Sequence, residues 1–218
     1  MTDQGNWPGY LVVEGPIGVG KTSLVKRLSE HLGYTQVLEA AEENPFLPRF
    51  YREGPRAAFP TQLFFLFQRL RQLDALRQGD LFKRRVVADF MLEKDRLFAE
   101  VTLARDELKL YDEVYQRMVG EVPAPDLVVY LQAPVEVLIT RVRRRDRPDE
   151  RQMKADYLRR LSDAYTSFFT QYDRSPLLII NAATVNPVEN KSDFELLVQR
   201  ILAHRSGRAF FNPSPLLI

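Results

Sequence analysis

Apolar positions along the chain follow two rhythms. Five short runs read as strands, most of them apolar throughout: Tyr10-Leu11-Val12-Val13, Thr35-Gln36-Val37-Leu38, Val86-Val87-Ala88, Leu127-Val128-Val129-Tyr130-Leu131 and Leu177-Leu178-Ile179-Ile180. Strands covered on both faces read this way, whereas strands with one wet face alternate. Between the runs, apolar residues recur at helical spacing. Thr61 to Gln78 has a core stripe of Leu63, Leu66, Phe67, Leu70 and Leu73, and Tyr157 to Tyr172 carries Tyr157, Leu158, Leu161, Tyr165, Phe168, Phe169 and Tyr172, a row that reads as core. Strands alternating with helices require crossover connections. The expected fold is α/β, a doubly wound five-stranded parallel sheet with helices on both faces.

Punctuation agrees with the rhythm. Gly33 ends the first helix, Pro123 and Pro125 keep the approach to the fourth run extended, and Pro134 suits the start of the helix after it. The tail, 206–218, contains Pro213 and Pro215 and reads as irregular. A length of 218 residues suits one domain spanning 1–218. The balance of 31 Lys plus Arg against 29 Asp plus Glu gives no field to draw the protein onto nucleic acid or an anionic membrane. There is no cysteine, Met1 to Gly9 lacks the pattern of a signal peptide, and runs such as Phe64 to Phe67 are too short to span a bilayer. A cytoplasmic location is expected.

Local chemistry is more informative. Gly15-Pro16-Ile17-Gly18-Val19-Gly20-Lys21-Thr22 fits G-x-x-x-x-G-K-[ST], with Ser23 next, and it lies between an apolar strand and a helical run. Both contexts are those of a Walker A loop. Glycines let backbone N–H groups turn toward phosphate oxygens, and the helix N-terminus adds partial positive charge. Lys21 would reach the β and γ phosphates and Thr22 would ligate Mg²⁺. This motif alone does not name a reaction.

Other segments narrow the choice. Asn190-Lys191-Ser192-Asp193 matches a guanine-reading pattern but lies far beyond the fifth run; Ser192 and Glu195 read instead as a capping box. Glu39 follows the second run, where a parallel sheet opens its ligand crevice, and a carboxylate there can take a proton from an acceptor hydroxyl; Glu42 and Glu43 nearby equally suit a solvated acidic turn. Gln62, Phe65 and Arg69 share one helix face, with Gln62 and Arg69 about 10 Å apart along the axis, suited to a base edge or to a half-exposed surface. Asp89 ends the third run, the position of a Mg²⁺-organising acid or a helix cap. Arg141, Arg143, Arg144, Arg145, Arg147 and Arg151 crowd into 141–151; such cations repel unless an anion joins them, which suggests a lid over phosphates.

Together these residues resemble the deoxynucleoside kinase family, from Tyr10 to about Asn181. The family has a Walker loop, a Glu after strand two, a Tyr eleven residues before a Gln, an Arg seven residues after it, an acid ending strand three and an R-x-x-x-R-x-R-x-x-E lid. Those places are held here by Glu39, Tyr51, Gln62, Arg69, Asp89, Arg141, Arg145, Arg147 and Glu150. The resemblance implies that Glu39 is the general base for the nucleoside 5′-hydroxyl. Tyr51 and Glu150 would hold the 3′-hydroxyl, and Gln62 would read the base with Phe65, Arg69 and Asp95 beside it. Arg145 and Arg147 would close over the phosphates, with Arg141 against the donor base. An Arg–Asp pair near the base implies a purine or cytosine deoxynucleoside as acceptor. The resemblance also implies ATP or GTP as donor, Mg²⁺ as cofactor and a homodimer. The chain departs from the family at strand three, where the acid is usually followed by Arg and Ser; here Phe90 and Met91 follow Asp89, and one residue is missing before Phe98. Two alternatives remain: a nucleoside monophosphate kinase gripping its acceptor with Arg49, Arg52 and Arg56, or a P-loop protein that binds without transfer.

Overall fold

A computed structural model describes residues 7–78, 85–120 and 122–211; the expected irregular end at 212–218, with Pro213 and Pro215, lies outside them. The strands are β1 (Tyr10–Glu14), β2 (Thr35–Val37), β3 (Val86–Ala88), β4 (Leu127–Gln132), β5 (Leu177–Asn181) and β6 (Arg208–Phe211). All pair in parallel, in the order β2-β3-β1-β4-β5-β6. The sheet therefore has six strands where five were expected. Part of the supposedly irregular tail, Arg208-Ala209-Phe210-Phe211, pairs with Leu177 to Ile180 as an edge strand.

The apolar runs follow directly from this topology. Leu11, Val13, Leu127, Val129, Leu178 and Ile180 face one side of the sheet and meet Leu24, Val25 and Leu28 of α1 (Lys21–Leu32), Leu138 of α6 (Val135–Arg145) and Phe194, Leu197 and Ile201 of α8 (Lys191–Ala203). Val12, Val128, Tyr130, Leu177 and Ile179 face the other side. There they meet Phe50 and Tyr51 of α2 (Leu47–Glu53), Leu97 and Phe98 of α4 (Glu93–Thr102), and Tyr157, Leu161, Tyr165 and Phe169 of α7 (Ala155–Gln171). With a helix layer on each face, both sides of every central strand must be apolar. The aromatic row of α7 is core, with Tyr130 stacked on Phe169 at 4.2 Å between centroids.

An outer layer joins α3 (Ala58–Gln78) and α5 (Arg105–Met118) through Leu66, Leu73, Phe90 and Tyr111. Two sequence expectations fail around the helices. Phe67 is 39% exposed rather than core, because α3 turns Leu66 and Leu73 inward and leaves Leu63 and Leu70 half-buried. The cap of α8 is Asn190, whose side-chain oxygen accepts from Asp193 N at 3.2 Å. Ser192 sits one residue inside the helix, too late to cap it.

Candidate active site

The strand C-termini open onto one crevice, and β1 leads straight into the Walker loop. Gly15 (φ 148°) permits the sharp exit: a Cβ there would lie 2.3 Å from the Leu131 carbonyl oxygen. Lys21 donates to the Gly15 carbonyl at 2.6 Å and the Pro16 carbonyl at 3.2 Å, so its ammonium covers the loop. Burial, and then Lys94, lowers its pKa to about 8, against the pull of Glu14, Glu39 and Asp89. Arg141 joins the Val19 carbonyl (3.2 Å) to the Ala182 carbonyl (2.7 Å), bridging the loop to the end of β5. Val19 is buried, Gly18 and Gly20 have positive φ, Ile17 and Thr22 are half-buried, and Ser23 faces solvent.

Asp89, just past β3, connects the loop to the acidic side of the crevice. Its Oδ2 accepts from the Thr22 hydroxyl at 2.6 Å and its Oδ1 from Glu39 N at 2.7 Å. It caps no helix: α4 begins four residues later. A hydroxyl and a carboxylate side by side offer two hard oxygen ligands. Among the described residues no three His, Cys, Asp or Glu cluster as a complete metal cage.

Glu39 follows β2 on a loop pinned to α3. Gln72 Nε2 donates to the Leu38 carbonyl at 2.9 Å, and Gln68 Nε2 donates to the Ala40 carbonyl and to Glu43 Oε2, both at 3.0 Å. The Glu39 carboxylate is gripped on both oxygens. Arg69 Nη2 donates to Oε1, and Lys94 Nζ donates to Oε2 at 2.8 Å. Burial alone would raise its pKa, but Arg69 and then Lys94 hold it well below the usual carboxylate range. Glu39 is therefore ionised at neutral pH.

The face that could have been half-exposed is buried: Gln62, Phe65 and Arg69 are all covered. Arg69 Nη1 also donates to Asp95 Oδ1, so one guanidinium spans two carboxylates. Burial pushes the Asp95 carboxyl up to about 7, with Arg69 pulling the other way. Phe65 lies 5.0 Å from the Arg69 guanidinium, ring centroid to carbon. Gln62 Oε1, Arg69 Nε and Asp95 Oδ2 are buried without a hydrogen-bond partner. Unpaired buried polar atoms on one side of a crevice are what a polar ligand would satisfy.

The arginine-rich segment runs from the end of α6 through a left-handed Asp146 (φ 45°) into a turn at Pro148–Glu150. Arg145 Nε donates to Glu150 Oε2 at 2.6 Å, and Arg151 forks onto Asp146 at 2.8 and 2.9 Å. Arg147 is exposed. The turn packs on α2, and burial raises the Tyr51 hydroxyl pKa well above normal, with Tyr157 and then Glu150 adding to it. Arg145 and Glu150 thus pair within a turn that packs on α2, the helix that carries Tyr51. A cavity of about 290 Å³ lies behind the turn, lined by Ile139, Val142, Arg147, Glu150, Met153 and Leu158. Arg49 and Arg52, considered as acceptor-phosphate ligands, pair with Glu53 on the exposed side of α2.

Two residues of the site escape sequence reasoning. Glu14 is buried; it accepts from Gly15 N (2.9 Å), Met91 N (3.0 Å) and the Tyr165 hydroxyl (3.0 Å), tying β1, β3 and α7 together. A Glu closing an apolar strand, next to the first Walker glycine, was its only signal. The other is Lys94, concealed in an exposed-looking charged run, Glu93-Lys94-Asp95-Arg96. Phe90, which stands where the resembled family carries Arg, is fully buried against Leu66, Ala99 and Tyr111.

Residues 11–204 match the profile of the deoxynucleoside kinase family. Deoxyguanosine kinase of Bacillus subtilis (strain 168) is 33% identical over 204 residues, which cover 91% of this chain and 97% of that protein. Deoxyguanosine kinase of Lactobacillus acidophilus is 30% identical over 207 residues, covering 88% and 89%. Among solved structures, deoxyadenosine kinase from M. mycoides with bound dATP superposes with a TM-score of 0.76 at 25% identity, covering 88% of this chain and 98% of that one.

Proposed function

The chain belongs to the deoxynucleoside kinase family, phosphotransferases acting on a hydroxyl group, and on that premise we propose that Glu39 and the arginine turn act on a purine deoxynucleoside. The transfer forms a bond between the acceptor 5′-oxygen and the γ-phosphorus. It breaks the bond from that phosphorus to the β–γ bridging oxygen, whose electron pair leaves on the diphosphate. The hydroxyl proton goes to Glu39. The observation that carries this reading is the state of Glu39: ionised, fixed by Arg69 and Lys94, and joined through Asp89 to the Walker threonine. Each carboxylate oxygen keeps a second lone pair free for an incoming hydroxyl.

The remaining roles follow from position. Gln62, Arg69 and Asp95 read the base edge with their unpaired atoms, and Phe65 packs beside them. Tyr51 and Glu150 hold the sugar 3′-hydroxyl. Arg145 and Arg147 close over the transferring phosphoryl group, and Lys21 with the loop N–H groups binds the donor, ATP or GTP. Arg141, against Val19 and Ala182, flanks the donor base. Thr22 and Asp89 would hold Mg²⁺; two protein oxygens suit an ion that takes its other ligands from phosphates and water, and bound there it would neutralise phosphate charge. Deoxyguanosine is the first acceptor to test, since relatives at 33% and 30% identity carry that name, and deoxyadenosine the second, since another relative at 30% is a deoxyadenosine kinase. We further propose a homodimer formed through α3, whose Phe67 is exposed beside half-buried Leu63, Phe64 and Leu70. No helix among the described residues is long and apolar enough to cross a membrane.

The test is phosphorylation of the four deoxynucleosides and of their monophosphates, with ATP or GTP. The proposal expects a purine deoxynucleoside to be the best acceptor. Turnover confined to monophosphates would overturn it.

A further inference from the structure

The acid ending β3 is followed by Phe90, and that side chain is committed to the core, so no cation can come from this position. The crevice nevertheless has one. Lys94, on the first turn of α4, is 4% exposed, and its Nζ lies 2.8 Å from Glu39 Oε2. Its other close neighbour is the Phe98 ring, 5.6 Å from ammonium to centroid. A lysine so thoroughly buried loses hydration that only a specific anionic partner restores. Here that partner is Glu39; Glu14 and Asp89 also favour its charge, while Arg69 opposes it.

The geometry points to Lys94 as a positioning residue for phosphoryl transfer, fixing the Oε2 edge of the general base while Arg69 fixes Oε1. This rests on the reading of Glu39 as the base. With one lone pair on each oxygen occupied, the carboxylate can meet a hydroxyl only with the remaining pair on either oxygen, and its plane is set before substrate arrives. Such pre-orientation lowers the barrier without adding substrate affinity. Lys94 thus supplies from a helix the charge that an arginine beside the strand-three acid would supply. Phe90 faces the core and Lys94 faces Glu39, so the cation beside this carboxylate comes from α4 and not from the residue after Asp89.

The test compares wild type with Lys94→Met, Lys94→Arg, Glu39→Gln and the double variant Glu39→Gln/Lys94→Met, measuring kcat and KM for deoxyguanosine and the other deoxynucleosides. Lys94→Met is expected to lower kcat about 100-fold with KM changed less than about threefold, and Lys94→Arg to recover most of that loss. If Lys94 acts through Glu39, the double variant will be within about twofold of Glu39→Gln alone. The double variant removes both charges together, so this comparison decides the matter even if Lys94→Met alone fails to fold. An inactive Glu39→Gln with a fully active Lys94→Met would overturn the role of Lys94 and leave the base intact. A double variant far slower than Glu39→Gln would overturn it too. A fully active Glu39→Gln would overturn the base assignment and this inference with it.

Discussion

Arg69 and Glu39, thirty residues apart in sequence, form a charge-paired contact in which the guanidinium is almost wholly buried and also spans Asp95. Three charges from α3, α4 and the loop after β2 are thereby fixed relative to one another. Removing the shared cation leaves two buried carboxylates facing each other. Arg69→Ala is expected to lower stability by about 3–5 kcal/mol, read by urea unfolding, because an unpaired buried charge is costly. Arg69→Lys retains the charge but not the fork, and should recover only part of this.

Asp95 gives the site a pH signature. Its folded-state pKa is raised from 3.8 to about 7, chiefly by burial. Between those values the folded protein binds more protons at this position than the unfolded chain, so its contribution to stability falls as pH rises from about 4 to about 7. Glu39 is shifted the other way; its contribution is present above 4.5 and is lost as pH falls below that. Asp95→Asn should therefore flatten the decline between pH 5 and 7 while leaving the loss in acid. Urea unfolding of both proteins across pH 4–8 checks this, and identical slopes would contradict it.

Two glycines separate a functional constraint from a local one. A Cβ at Gly15 would strike the Leu131 carbonyl oxygen, whereas Gly33 (φ 69°) has open space around it. Gly33→Ala should cost about 1 kcal/mol of stability from its positive φ and leave triphosphate affinity unchanged. Gly15→Ala must displace the Walker loop or β4, and should abolish binding of a fluorescent triphosphate analogue.

If α3 forms a dimer interface, Phe67 is the side chain to charge. Phe67→Glu places a carboxylate on the exposed apolar face, and sedimentation should then report a monomer where wild type is dimeric. A wild-type monomer would refute the interface.

Much of this architecture was legible because the constraints are local or periodic. The Walker loop declared itself through glycines whose backbone angles no other residue adopts cheaply, and the strands through runs that are apolar because helices cover both faces. What escaped detection depends on tertiary partners. Arg208-Ala209-Phe210-Phe211 becomes a strand only because β5 offers a free edge. Phe67 shares its period with core leucines, but α3 is rotated so that it points outward. Glu14 and Lys94 are charged residues in positions that read as a strand end and an exposed helix; only neighbours distant in sequence show why each is buried. Gln68 and Gln72 did leave a trace, two amides one helical turn apart beside Arg69 on α3.

The central claim is that Glu39 is the base, and Glu39→Gln tests it most directly because the amide keeps the shape and discards the charge. Steady-state phosphorylation of deoxyguanosine should fall by about 100-fold or more in kcat, with binding of the triphosphate analogue preserved. Turnover by Glu39→Gln at the wild-type rate would contradict the account.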